Sequence, residues 1–473
     1  MPTPAGKPSK PSKHRPTAVS VGRHRPPLPA HRAEEVSIGV RIKADPLVSN
    51  SLYLLMNTVA MAALGLVFWL LCAKLYTPSE IGAGTTLISA SGLIGLASLL
   101  GFNGTLVRYL PTSSRRDAHV NTGLLLTGAA SVGLAALYVI AVPWFAPQLR
   151  FVHDSAWMAV SFILLTAGTA MNQLTDAIFV AYRSARFNLL IDGGLQGISK
   201  ILFAVVLQGI GAYGVFAASG AAAGLAVIAS VVVLVRLFNY KPRWQVDREV
   251  LSEVSGYTGG MYAASLLNLS PVMLVPIIVV DRLGTADAGY FYIAFMIANV
   301  VFAAAYSVTS SLFAETSYGE RPKADLVRHA GKVLLALIVP AAVLLGLGGR
   351  LILGFFGGHY SSNAGTALAL LGLSAPIVAA ADVCAVLLRT RPKMRGLVIM
   401  MACYAVTVIG LTLLWAGHGL VGVAWAWIVG NVVGLAAGLV LLKPVRRRMT
   451  EGEIASGERV RGEDVIRESV PAA

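Results

Sequence analysis

Between Ser51 and Pro111 the chain holds two apolar runs separated only by the polar turn KLYTPSEIG, Lys74 to Gly82, and closed by Arg108, Tyr109, Leu110 and Pro111. Each run approaches the roughly 20 apolar residues that carry a helix across a hydrocarbon core. The stretch is therefore a transmembrane hairpin, and everything after it has to be compatible with lipid as the solvent. Composition agrees: of 473 residues 56% are hydrophobic and 13% charged, and the mean hydropathy is +0.70. A soluble protein of this size could not hide so much apolar surface.

The net charge of +15 raises the question of nucleic acid. The basic residues are spread over an amino-terminal tail, alternate loops and a carboxyl-terminal tail, with no single basic face, so no nucleic-acid partner is expected. Cys72, Cys384 and Cys403 are the only cysteines; they lack metal-ligand spacing and fall within apolar runs, where cysteine packs as a small hydrophobe. No metal or other cofactor is expected.

The hairpin has an echo. DRLGTADAG, Asp281 to Gly289, again places an acidic residue two positions before a glycine that opens an apolar run, and Gly289 lies 207 positions after Gly82. DAIFVAYR (Asp176 to Arg183) returns as DVCAVLLR (Asp382 to Arg389) at an offset of 206, and GIGAYGV (Gly209 to Val215) as GHGLVGV (Gly417 to Val423) at 208. Three matches in order at nearly constant spacing indicate two homologous halves, an arrangement common among transporters.

Apolar runs at approximately 52–74, 84–107, 120–142, 156–182, 187–208 and 213–236 are followed by a second set at 256–280, 288–314, 331–355, 364–388, 396–416 and 419–442. The expected fold is an all-α polytopic membrane protein: about twelve transmembrane helices in two homologous six-helix bundles around a central cavity. The expected organisation is a disordered basic tail (1–47), a first bundle (48–240), a linker (241–255), a second bundle (256–443) and a charged tail (444–473). The first tail has no apolar signal-peptide core. Every second loop is basic, through Arg108, Arg115 and Arg116; Arg183 and Arg186; Lys241, Arg243 and Arg248; Arg321, Lys323 and Arg328; and Arg389, Arg391, Lys393 and Arg395. Cytoplasmic loops retain Lys and Arg, so both termini are expected in the cytoplasm. The halves are then parallel copies about an axis along the membrane normal.

Two GxGxxG-like strings, at Gly209 and Gly417, join lipid-spanning helices and so read as tight turns; a dinucleotide fingerprint would need a strand before it. Asp176 with Arg183 and Asp382 with Arg389 are each seven residues apart, close to two helical turns, which puts each pair on one face with the carboxylate roughly 10 Å deeper. A carboxylate at that depth must face protein or water. Each pair is either a structural ion pair or an inner gate or cation site. Lys200 falls near the middle of its span; it is either neutralised by a carboxylate on another helix or faces a hydrated cavity, where it suits a phosphate. Lys74 and Asp281 occupy matching ends of the first and seventh spans and define a possible outer latch between the halves. Asn57, Thr58, Thr85, Thr86, Ser89 and Asn103 in the first two spans, and Tyr257, Tyr262, Asn268, Tyr290, Tyr292, Asn299, Tyr306, Ser307, Thr309, Ser310 and Ser311 in the seventh and eighth, form the densest polar sets. They mark either a wet cavity between the halves or tight packing by small residues. No loop is long enough to be a catalytic domain, and no enzyme activity is expected.

The stretch NSLYLLMNTVAMAALG through CAKLYTPSEIGAGTTLISASGLIGLASLLGFNGTLVRYLP resembles the opening hairpin of bacterial polysaccharide flippases, and SLLNLSPVMLVPIIVVDRLGTADAGYFYIAFMIANVV resembles their seventh and eighth helices. The resemblance spans about residues 48–443. It implies the multidrug, oligosaccharidyl-lipid and polysaccharide exporter fold, two bundles in a V whose cavity opens alternately to each side. It also implies a multi-pass protein of the cytoplasmic membrane that moves undecaprenyl-diphosphate-linked oligosaccharides between leaflets. Implied partners are the lipid-linked oligosaccharide, membrane lipids and a polysaccharide polymerase or glycosyltransferases. The lipid II branch usually has fourteen helices and arginines in its first helices; here the first helix has none. Under this reading Lys200 and Arg108 take the diphosphate, Asn57, Asn103, Tyr262, Asn268, Asn299 and Tyr306 the sugars, and the Asp and Arg pairs with Lys74 and Asp281 the gates. The alternatives are a cation-coupled drug exporter of the same superfamily and a membrane glycosyltransferase or ligase.

Overall fold

The computed structural model describes residues 46–318, 323–389 and 394–442. The two tails, Arg321, Arg391, Lys393 and the side chains of Tyr257 and Ser311 lie outside the described residues. The described chain is helical throughout and falls within one compact unit, Lys43–Ala473. Eleven of its helical stretches are long and apolar enough to cross a membrane, and the last of them, Arg395–Leu442, is 48 residues long. At 1.5 Å per residue a straight helix of that length would span about 72 Å, more than twice a hydrocarbon core. A short 3₁₀ turn at Ala416–His418 folds it into an antiparallel pair instead. Twelve crossings result, as the apolar runs predicted.

In chain order the helices are α1 (Pro46–Leu75), α2 (Pro78–Ser98) with its short continuation α3 (Phe102–Tyr109), α4 (Arg116–Phe145), α5 (Ala156–Ala181), α6 (Gly197–Val206) preceded by a π-helical turn at Leu189–Gln196, and α7 (Ala212–Leu237). The second half contains α8 (Arg248–Leu283), α9 (Thr285–Tyr318), α10 (Lys323–Gly354), α11 (Gly358–Arg389), α12 (Arg395–Trp415) and α13 (Gly419–Leu442). Within each half the same neighbours meet: first with fifth crossing, second with third, second with fourth, third with fourth, fourth with sixth and fifth with sixth. The duplication read from three short motifs is thus repeated in the packing.

The polar turn of the opening hairpin has a local cause. Thr77 and Glu80 close a capping box at the start of α2: the Thr77 N–H donates to Glu80 Oε2 at 2.8 Å, and the Glu80 N–H donates to Thr77 Oγ1 at 3.3 Å. Pro78 takes the first helical position, where its missing N–H costs nothing. The acidic residue before Gly82 is therefore a helix cap. The matching turn between α8 and α9 is made by Gly284, whose φ of 94° is open to glycine.

The halves meet through α2, which packs on both α8 and α9. It is the innermost helix, with 78% of its span buried, against 11% for α1. At the opposite, linker end the chain is tied down after α7. Tyr240 Oη donates to Asn121 Oδ1 at 2.5 Å, the Arg243 N–H donates to the same oxygen at 3.0 Å, and the Asp247 N–H donates to Thr122 Oγ1 at 2.9 Å. Arg115 bridges Asp247 at 3.0 Å and also reaches Glu249. Burial, with Asp117 and Tyr182 nearby, raises the Tyr240 phenol from its ordinary 10.0 to about 12.

Candidate functional site

The repeated Asp and Arg motif ends in two different places. In the second half α11 stays helical through Arg389, so Asp382 and Arg389 keep the same face. They line a narrow cavity with Asn268 from α8, Tyr306, Thr309 and Ser310 from α9, and Met401 from α12. Its volume is about 10 Å³, room for one water. Arg389 Nε is buried there without a hydrogen-bond partner, and the pair closes no ion pair among the described residues. The cavity offers a guanidinium, a carboxylate, an amide and three hydroxyls at one point, a mixed set suited to sugar hydroxyls and an acidic group.

In the first half the helix ends sooner. α5 stops at Ala181, and Arg183 turns out with a φ of 53° and is exposed. The expected Asp176 and Arg183 pair is not formed. Asp176 instead lies within hydrogen-bond reach of Asp192 on the π-helical turn. Asn172 Nδ2 donates to Asp192 Oδ1 at 3.1 Å, and Asn188 Nδ2 donates to the Asp176 backbone carbonyl at 3.3 Å. Asp192 is 2% exposed, and Asn172 Oδ1, Asn188 Oδ1 and Gln196 Oε1 have no partner. Asp176 and Asp192 thus belong to one polar cluster inside the apolar spans, where a carboxyl group has to face protein or water. Asp192, Asn172 and Asn188 were missed as site residues, although a carboxylate inside an apolar run carries the same signal that singled out Asp176. Asn57, expected on sugar, packs its Oδ1 against Gly193 beside this cluster and has no partner there. Among the described residues no three His, Cys, Asp or Glu side chains converge.

Lys200 has no carboxylate partner among the described residues. Its Nζ lies 4.2 Å from the Phe68 ring centroid and 5.6 Å from that of Trp69, so aromatic faces of α1 stabilise the ammonium and leave its hydrogen-bonding capacity open. Trp69 in turn packs on Tyr292 of α9 at 4.8 Å. Arg108 sits far from this point, exposed in the last turn of α3 at the linker end with its guanidinium 5.4 Å from the Tyr109 ring. Asn50, which accepts the Ala185 N–H, marks the linker end of α1, and Phe68 is eighteen residues further along, or about 27 Å. One diphosphate cannot touch both Lys200 and Arg108.

The remaining expected residues divide. Tyr262 Oη donates to the Ala97 carbonyl at 2.6 Å and ties α8 to α2. Asn299 bonds its own helix at Phe295, and Asn103 accepts from the Gly104 N–H. Thr85 and Thr86 donate to the Gly82 carbonyl and are fully buried, so these two serve helix packing. Tyr306, 54% exposed, and the exposed Ser307 and Ser310 line an open face of α9. The Lys74 and Asp281 latch is not formed: Lys74 is exposed and Asp281 pairs with Arg282 at 3.3 Å, because the two helix ends are joined through α2 and α9 instead. Near Tyr76, in the hairpin turn, burial raises the phenol to about 12, helped by Cys72 and Glu80. α1 and α9 touch through Trp69 on Tyr292. Toward the linker end Thr58 and Val59 of α1 and Val300, Tyr306 and Ser307 of α9 are exposed.

A family model described as polysaccharide biosynthesis protein matches residues 71–362. No curated protein matches the chain by sequence. Among solved structures, lipid II flippase MurJ in an inward closed conformation matches with a TM-score of 0.66 at 14% identity, over 83% of this chain and 87% of that one. An inward-facing multidrug resistance MATE family transporter of the MOP superfamily matches with a TM-score of 0.59 at 16% identity, over 90% and 100%. A MOP superfamily transporter from Pyrococcus furiosus matches with a TM-score of 0.55 at 14% identity, over 84% and 94%. At these identities the likeness is one of fold.

Proposed function

This chain belongs to the polysaccharide biosynthesis protein family, and from that premise we propose that it flips undecaprenyl-diphosphate-linked oligosaccharides from the inner to the outer leaflet of the cytoplasmic membrane by alternating access. The observation that carries the reading is the mixed polar pocket of Asn268, Tyr306, Ser310, Asp382 and Arg389, drawn from three helices of the second half. Sugar hydroxyls entering hydrocarbon unpaired would cost several kcal/mol each. A polar cleft between the halves removes that cost while the lipid tail stays in the bilayer. A fold shared with a lipid II flippase agrees with a lipid-linked cargo.

In this reading the linker end is cytoplasmic, as the loop charges imply. Arg108 meets the cargo at the membrane surface, Arg389 and its neighbours hold the sugar, and Lys200 attracts the diphosphate deeper in the cleft. The pocket holds one water in the conformation described, so cargo entry requires α9 and α11 to part. An inside-negative potential assists outward movement of the diphosphate by about 2.3 kcal/mol per charge per 100 mV.

The test is leaflet transfer of a labelled undecaprenyl-diphosphate oligosaccharide in liposomes, with Lys200→Ala and Arg389→Gln alongside. Transfer by the native protein and its loss in both variants supports the assignment; full transfer by both removes the residues from it. A second reading, a cation-coupled drug exporter, is favoured by the Asp176 and Asp192 cluster. Cation-driven dye efflux without transfer of any glycolipid would establish that reading instead.

A further inference from the structure

We propose that Gly82 and Gly289 form a reciprocal clasp, closable only by two glycines, that locks the two halves together at the hairpin end. A Cβ on Gly82 would stand 1.7 Å from the Thr285 carbonyl oxygen and 2.6 Å from the Gly289 nitrogen. A Cβ on Gly289 would stand 2.1 Å from the Pro78 carbonyl oxygen and 3.1 Å from the Gly82 nitrogen. Pro78 and Thr285 are separated by the same 207 positions as the two glycines. The same contact is therefore made twice, once in each direction, as it must be where a two-fold axis passes between two equivalent surfaces.

The obstructing atoms are backbone, held by their own helices, and cannot rotate aside as a side chain would. At 1.7 Å an added methyl is 1.3 Å short of the 3.0 Å below which real contacts are essentially never seen. Alanine at either position must hold α2 and α9 apart. Small residues let membrane helices approach to backbone contact, and here the approach is pinned by a hydrogen bond between Ser79 Oγ and Thr285 Oγ1 at 2.6 Å. Trp69 on Tyr292 continues the closure inward. The contact lies on the pseudo-axis, so opening the hairpin end has to break both copies together. The closed and open states then differ by one cooperative event, with no intermediate that keeps half of the clasp.

The clasp rests on packing alone; its effect on transport rests on the alternating-access reading above. Ser79→Cys with Thr285→Cys places two sulfurs within bonding reach. In membranes under mild oxidation the pair is expected to cross-link in most molecules, while either single variant does not. Adding Gly82→Ala or Gly289→Ala is expected to lower the cross-linked fraction at least tenfold, in protein that still expresses and unfolds cooperatively in detergent. Undiminished cross-linking in both glycine variants overturns the clasp, whatever the cargo proves to be. Oxidation of the cysteine pair is further expected to stop leaflet transfer until a reductant is added. Transfer that continues in the cross-linked protein would show that this end does not gate. Failure to transfer by the reduced protein counts against the flippase reading and leaves the cross-linking result to decide the clasp. A variant that misfolds is recognised by its unfolding midpoint, and Gly289→Ala supplies the second copy of the same test.

Discussion

At the scale of single residues the chemistry divides between a cation without a carboxylate and carboxylates without a cation. Lys200 lies against aromatic rings, where an ammonium gains up to about 2 kcal/mol when desolvated. Lys200→Ala is expected to reduce transfer about tenfold or more with little change in unfolding temperature, measured on the same liposomes and in detergent. Asp176 and Asp192 present the reverse case, two carboxyl groups brought into one polar cluster between α5 and the π-helical turn. Asp192→Asn is expected to leave thermal stability unchanged or raised while abolishing any dependence of transport on a cation or pH gradient; a lower unfolding midpoint with coupling intact would contradict this. Lys200, Asp176 and Asp382 could be found from sequence because ionisable groups within apolar runs are costly. Their partners could not. The direction each side chain takes depends on which helix lies opposite, and no periodicity within one helix contains that information.

At the scale of elements, boundaries changed the meaning of motifs. The Asp176 to Arg183 spacing satisfies a two-turn rule, yet α5 ends before Arg183 and the pair never forms, whereas α11 continues through Arg389. Tyr262, expected on sugar, serves as a strut between α8 and α2. Tyr262→Phe is expected to cost about 1 kcal/mol, the worth of a typical hydrogen bond, read as a modest fall in unfolding temperature. The linker has its own pH dependence. Because the folded Tyr240 phenol is raised to about 12 from 10.0, its contribution is complete below the ordinary value and is lost as pH rises through the folded one. The difference between tyrosinate absorbance titrations of the native protein and Tyr240→Phe is expected to show one phenol ionising above the ordinary value; a difference at the ordinary value would contradict this.

At the scale of the whole molecule, orientation follows from loop charge. A cysteine at Lys74 is expected to react with a membrane-impermeant reagent from outside intact cells, and one at Trp244, 95% exposed on the linker, only after permeabilisation; the opposite result would invert the topology. The number of crossings, the class of fold and the two-fold repeat were legible in the amino-acid order, since span length is set by bilayer thickness and duplication leaves a constant offset. Even Gly82 and Gly289 stood out as a matched pair. That they touch was not legible. Sequence places them 207 positions apart, and only the docking of α2 on α9 brings backbone against backbone, where the absence of a side chain becomes the condition for closing. The same holds for the pocket of Asn268, Tyr306, Asp382 and Arg389: hydropathy determines which segments enter the membrane, while contacts among segments decide which polar groups meet.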